Sequence, residues 1–220
     1  MNVFNLFSIP VLMSELLDFE KITTEEYEVL TSLEVKKREE EFENSTLLSN
    51  SSQILEDPRL LRIKETKLRY VDHYLSNVIN VTNKFKMTSS WLTINQNGSS
   101  HERHSHGNVI LSAVLYFGEN FSDENLSNFY ISQEGTKNIF KSFQFTYDIK
   151  NYNEYNSPSL NLKPKNNTII IFPGWMLHGS EPHNDSNKRY CIGSNYFLND
   201  HVGSGYHSLS IETKIKDSTI

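Results

Sequence analysis

The chain has 220 residues, 21 Lys+Arg against 27 Asp+Glu (formal net charge −6), 37% hydrophobic and 12% aromatic residues, 9 Gly, 6 Pro and one cysteine, Cys191. That length suits one domain, or one domain with a helical extension, and the apolar share is enough for a packed core, which excludes disorder for most of the chain. The acidic balance argues against bulk capture of nucleic acid, and a lone cysteine excludes both a disulfide framework and a multi-cysteine zinc module, making a reducing cytoplasm the default compartment.

The opening MNVFNLFSIPVLM has no basic n-region, and Asn5 and Pro10 break its apolar run. It reads as an N-terminal strand, not a signal peptide. No stretch approaches the ~18 apolar residues of a membrane span. Thr23 and Glu26 form a capping box, with Ile22 and Tyr27 at staple spacing. The helix they open is expected to run through Leu30 and Leu33 into the mixed-charge run Lys36 to Glu43, a solvated face. The small polar residues Ser45 to Ser52 read as a loop. Asp57 as cap and Pro58 at the first helical position open a second helix. Its Leu61, Leu68, Val71, Leu75 and Val78 fall on one core-facing stripe.

Near Met87 the pattern changes to strands. They are expected at Trp91 to Ile94, Val109 to Phe117, Phe143 to Ile149, Thr168 to Phe172, Tyr190 to Phe197 and around Leu209 and Ile211. The run TIIIF at 168–172 has the continuous β-branched character of a strand buried on both faces. Polar segments at 119–128, 151–165 and 181–188 separate them. Several short strands without intervening helices indicate a mainly β sandwich or barrel. The organisation is therefore an N-terminal strand and helical buttress at 1–86 and a β core at 87–220, together one structural domain.

Three of the eight histidines lie within six residues, in HERHSHGN (101–108). Strand spacing sends His104 and His106 to one face, roughly 6 to 7 Å apart along the chain, within reach of a single metal ion. His178, directly after the most apolar strand, is the best third ligand, because a metal site needs rigid supports. Arg189 opens the next strand, whose alternating side chains include Cys191, Gly193 and Asn195. A guanidinium held on a core strand needs an anionic partner: a ligand carboxylate, or else Asp185 or Glu181. His101 reads as exposed and His183 as solvated in a polar turn. Trp175 reads as core packing, and Cys191 as a small core filler.

The order SWLTIN (90–95), HSHGN (104–108), LSAVLYF (111–117), IIIFPGWMLH (169–178) and RYCIGSN (189–195) resembles the Fe(II)- and 2-oxoglutarate-dependent dioxygenases. Within them it looks most like the 2-oxoglutarate-Fe(II) oxygenases of marine phages and bacteria. The resemblance implies a double-stranded β-helix (jelly-roll) core buttressed by the N-terminal helices. It implies iron ligation by His104 and His178, and diacid binding by Arg189 with Tyr116. The familiar pattern has a carboxylate where this chain has His106. The third ligand is then His106, in a three-histidine face, or a carboxylate such as Glu102. The hydroxyl that usually supports the arginine is absent, with Cys191 and Gly193 at the candidate positions. The implied activity is hydroxylation of a small metabolite or peptidyl side chain, with O2 and with decarboxylation of 2-oxoglutarate to succinate. Ascorbate is a candidate reductant and a homodimer a candidate assembly. The implied location is cytoplasmic, in the host if the chain is phage-encoded. Two other readings stay open. One is a cupin-like metalloenzyme that does not use 2-oxoglutarate. The other is a non-catalytic jelly-roll module that binds carbohydrate or builds a virion.

Overall fold

The computed structural model describes residues 8–38, 44–118, 127–132, 150, 151, 153, 157 and 159–215. The strand expected at Phe143 to Ile149 lies outside them, as do the first seven residues.

In chain order the elements are β1 (Leu12–Glu15), α1 (Thr24–Thr31), β2 (Val35–Lys37), β3 (Leu47–Ser49), α2 (Leu61–His73), β4 (Phe85–Asn95), β5 (His101–His104), β6 (Leu111–Phe117), β7 (Phe129–Ser132), β8 (Ser159–Leu162), β9 (Thr168–Pro173), β10 (Leu177–Ser180), β11 (Arg189–Leu198), β12 (His201–Val202) and β13 (Leu209–Ser210). A seven-stranded sheet has the order β1-β9-β6-β11-β4-β3-β2, and a four-stranded sheet the order β5-β10-β7-β8. Every pairing between named strands is antiparallel. From β4 to β11 the chain passes back and forth between the two sheets. The architecture is the double-stranded β-helix.

Alternation along the strands of the large sheet makes two cores. On the outer face Leu115, Ile169, Ile171, Ile192 and Leu92 pack with Leu30 of α1 and Ile63 and Val71 of α2. On the inner face Ile170 and Phe172 meet Phe129 and Ile131 of the small sheet. The run at 168–172 is buried at all five positions because both faces of β9 are covered, as its composition predicts.

The N-terminal elements differ from expectation in three places. The capping box forms as read, with the Glu26 amide donating to Thr23 Oγ1 and the Thr23 amide to Glu26 Oε2, but α1 stops at Thr31. Val35–Lys37 is a strand instead of a continuing helix. Its backbone pairs with β3, which occupies the segment read as a loop. Ser49 belongs there because its hydroxyl accepts the Leu92 amide, so a small polar residue closes the sheet where composition suggests a turn. On α2 the stripe is out of phase at both ends: Val71 and Leu75 are buried, but Leu61 and Val78 are 49% and 44% exposed. A 3-10 turn at Pro58–Leu60, capped by Asp57, buries Leu60 in place of Leu61. At the other end a π-helical stretch, Tyr74–Ile79, rotates Val78 outward and Tyr74 inward. Within the segment 151–165, read as polar turn, β8 pairs with β7. The remaining expected strands are found in β4, β6, β11 and β13. No helix among the described residues is long and apolar enough to cross a membrane.

Candidate metal centre

His104 ends β5 and His178 lies directly opposite it on β10. β5 does not reach His106, which sits in the turn beyond, where its amide donates to the Gly174 carbonyl at 2.9 Å. The two rings expected to share a strand face still converge, with His104 Nε2 and His106 Nε2 3.1 Å apart. The ring centroids of His104, His106 and His178 are 4.3 to 5.1 Å apart, and one candidate ligand atom from each lies within 4.8 Å of the others. Three nitrogens roughly 2.1 Å from one ion, on one face of an octahedron, would be about 3 Å apart.

The other ring nitrogen of each histidine is anchored. His104 Nδ1 is 2.8 Å from the Glu102 carbonyl, and His178 Nδ1 is 2.8 Å from the Met176 carbonyl. His106 Nδ1 is 2.7 Å from Asn195 Oδ1, which also accepts the Ser112 hydroxyl at 2.9 Å. A carbonyl oxygen only accepts, so each Nδ1 carries the proton and each Nε2 lone pair is left for an ion. Burial is the main cause holding these imidazoles neutral: it pushes His104 down to about 4, His178 to about 3, and His106 below its ordinary value. Neutral imidazole is the ligating form. Glu102, the alternative third ligand, is exposed and offers only its carbonyl. Among the described residues no carboxylate joins the cluster, and an all-imidazole set suits iron, zinc, copper or nickel.

His101 is not exposed. Its ring stacks on His104 at 4.6 Å and 11°, and its Nε2 is buried without a hydrogen-bond partner. His183 is buried too, 3.2 Å from the Ser127 hydroxyl through Nδ1 and 2.6 Å from the Asn187 carbonyl through Nε2. A polar sequence context misled both readings: His101 is in β5 of the small sheet itself, and the loop bearing His183 folds back onto Gly98 and Ser99. Trp175, read as core packing, is 52% exposed in the β9–β10 turn.

A pocket enclosing about 480 Å³, mouth included, runs inward from the triad between Trp91, Thr93, Asn95, Tyr116 and Phe129. Arg189, not itself among the lining residues, is 1% exposed and stands against Tyr116 of the lining, 4.9 Å from guanidinium carbon to ring centroid. Neither Asp185 nor Glu181 pairs with it. Nη1 donates to the Ser127 carbonyl at 2.8 Å, while Nε and Nη2 are sealed from solvent with no partner among the described residues. A buried cation left this way is costly, so the space beside the guanidinium fits an anion. Tyr116 is buried on the same face, its hydroxyl pushed far up in pKa by burial and hence a proton donor. Cys191, next along β11, has its thiol raised to about 11 by burial and serves as filler. Gly193 is obligatory: a Cβ there would stand 2.4 Å from the Trp91 indole, which forms the wall beside His106.

Residues 89–195 match the family model described as "Putative 2OG-Fe(II) oxygenase". The matched stretch runs from β4 to β11. No curated protein sequence matches the chain. Among solved structures it is similar to HygX from Streptomyces hygroscopicus with nickel and 2-oxoglutarate bound (12% identity, TM-score 0.54, covering 86% of this chain and 82% of that one). It is similar to SnoN, a non-haem α-ketoglutarate-dependent epimerase from nogalamycin biosynthesis (10%, 0.60, 87% and 80%). A prolyl hydroxylase from Trichoplax adhaerens, in complex with a hypoxia-inducible-factor peptide fragment, is a third (14%, 0.54, 85% and 83%). At these identities the likeness is one of fold. Sequence reasoning did not single out Ser112, Asn95 or Ser127, and named Asn195 by strand alternation and as the end of RYCIGSN, without a role. Their roles depend on cross-strand register, for which one-dimensional spacing carries no signal.

Proposed function

We propose that the chain is a non-haem Fe(II), 2-oxoglutarate-dependent dioxygenase that hydroxylates a small-molecule or peptidyl substrate while 2-oxoglutarate is decarboxylated to succinate. One observation carries the reading: three anchored imidazoles line a pocket whose Tyr116 wall is backed by a buried guanidinium with two nitrogens unpaired among the described residues. His104, His106 and His178 would hold Fe(II), which when bound would supply the redox chemistry with O2. Arg189 grips the distal carboxylate of 2-oxoglutarate through Nε and Nη2, the nitrogens that lack partners. The Tyr116 hydroxyl donates to the same carboxylate. Phe129, Phe172 and Met176 line the inner core and keep water from the reacting end. With only three protein ligands the set would leave an ion open to ligands from solution, which a closed four-residue set would not.

The test is succinate release from 2-oxoglutarate by the purified protein with Fe(II) under air. Release above the protein-free rate, lost in His178→Ala, is expected. Metal binding without any succinate, coupled or uncoupled, would overturn the reading.

A further inference from the structure

The direction in which the Arg189 guanidinium points decides where its unpaired Nε and Nη2 lie. A guanidinium is a rigid planar fork, so holding one nitrogen and one face fixes the other nitrogens. The Tyr116 ring holds the face, and the Ser127 carbonyl holds Nη1 at 2.8 Å. Ser127 lies two residues before β7, outside the strand ladder, which ends with the Glu181 amide donating to the Asn128 carbonyl at 3.0 Å. The Ser127 hydroxyl is 3.2 Å from His183 Nδ1. His183 Nε2 is 2.6 Å from the Asn187 carbonyl, which only accepts. In the neutral ring Nε2 therefore carries the proton, and Nδ1 accepts from the Ser127 hydroxyl. Arg189, Ser127 and His183 are all buried.

The backbone of His183 is fastened independently of its ring. Its amide donates to the Ser99 carbonyl at 2.8 Å, and its carbonyl accepts the Gly98 amide at 2.6 Å, both in the turn between β4 and β5. The imidazole is thus carried on a fixed post and is not what keeps its loop in place. We infer that His183 is a positioning residue: through the Ser127 hydroxyl it sets the peptide whose carbonyl holds Arg189 Nη1, and so aims Nε and Nη2 at the ligand. A binding group keeps its direction only when the groups behind it are themselves held, and here the hold passes from the β4–β5 turn to His183, Ser127 and Arg189.

The inference rests on the dioxygenase reading, in which Arg189 takes the distal carboxylate, and calorimetry with Mn(II)-loaded protein separates the two. An amide side chain replaces one imidazole nitrogen at a time: Asn sets a polar atom near the place of Nδ1, and Gln near that of Nε2. His183→Gln and Ser127→Ala both remove the bond between ring and hydroxyl. Each is expected to weaken 2-oxoglutarate about 10-fold, comparable to losing one hydrogen bond to a charged group. The double variant should lose no more than either single, since both act on one bond. His183→Asn keeps an acceptor for Ser127 and should bind 2-oxoglutarate as the parent does, although it gives up the Asn187 contact and melts lower. Mn(II) affinity should be unchanged throughout, because the triad is untouched. Affinity that follows melting temperature, with His183→Asn weakened as much as His183→Gln, overturns the role, as a merely structural residue would behave that way. Unchanged affinity in both His183→Gln and Ser127→Ala also overturns it, and either outcome leaves the dioxygenase reading intact. If His183→Gln does not fold, Ser127→Ala, which removes a single hydroxyl, decides alone. Failure of the parent protein to bind 2-oxoglutarate overturns the reading and the inference together.

Discussion

His106 faces its neighbours' Nε2 atoms because Asn195, far from it in sequence, and Ser112, six residues on, turn its ring. Asn195 Oδ1 takes the Nδ1 proton at 2.7 Å, and the Ser112 hydroxyl lies 3.1 Å from the same nitrogen while donating to Asn195. Groups that orient a ligating imidazole typically matter 10- to 100-fold in metal affinity. Asn195→Ala is therefore expected to weaken Mn(II) binding by about that range, measured by titration of the metal-free protein. His104 and His178 are oriented by backbone carbonyls and should be insensitive to any comparable side-chain change. An unaltered Mn(II) affinity in Asn195→Ala would mean that the turn after β5 alone sets the ring. His104, His106, His178 and Arg189 were legible from residue type and order. Asn195 and Ser112 were not, since serine and asparagine on a strand have many uses and only register assigns one.

Among the elements, α2 packs on the outer face of the large sheet, and it does so with a basic residue in its apolar face. Lys67 is 0% exposed, and its Nζ donates to the Ile192 carbonyl at 2.7 Å and the Ala113 carbonyl at 3.3 Å. Two acceptors match the two N–H donors of a neutral amine, and burial lowers its pKa from the ordinary 10.5 to about 7. The sign of the pH effect follows. Between pH 7 and about 10.5 the unfolded chain holds a proton on this amine that the folded protein does not, so stability rises with pH across that window. Lys67→Met fills a similar volume without a charge to desolvate. It is expected to be more stable than the parent by roughly 1–3 kcal/mol at pH 6, with the gain shrinking toward pH 10 in urea unfolding. A variant less stable at every pH would show instead that the two carbonyl contacts outweigh desolvation. The segments α1 and β2–β3 illustrate the limits of local reading. The capping box correctly placed the start of α1, since it is made by residues three apart. Its end was misjudged, because Val35–Lys37 is recruited as a strand by β3, a partner that local sequence does not reveal.

For the whole molecule, four histidines packed into one pocket make the metal-free protein sensitive to acid. Burial holds His104 near 4 and His178 near 3, and also lowers His101 and His106. In the unfolded chain they bind protons near pH 6.5, so as pH falls below that value the unfolded state gains protons that the folded state refuses. In chelator, stability is expected to fall from about pH 6.5 toward pH 4, by at least about 1 kcal/mol per pH unit. The slope should be reduced in His178→Phe. Urea midpoints at each pH measure it, and a flat profile over this range would contradict the burial of the triad as neutral rings.

By itself the sequence determined the β-rich core, the doubly covered strand at 168–172, the starts of both helices and the histidine and arginine candidates. These follow from periodicity, capping chemistry and residue type, all of which act over a few residues. Tertiary structure decided which polar groups are buried and what they face. His101 and His183 read as exposed because their neighbours are polar, yet one stacks on His104 and the other is enclosed against Ser127. Asn95 reads as one asparagine among many until β4 folds into the wall of the pocket. Burial and partnership are properties of contacts between distant segments, and hydrogen bonds across strands exist only once the register that makes them is formed.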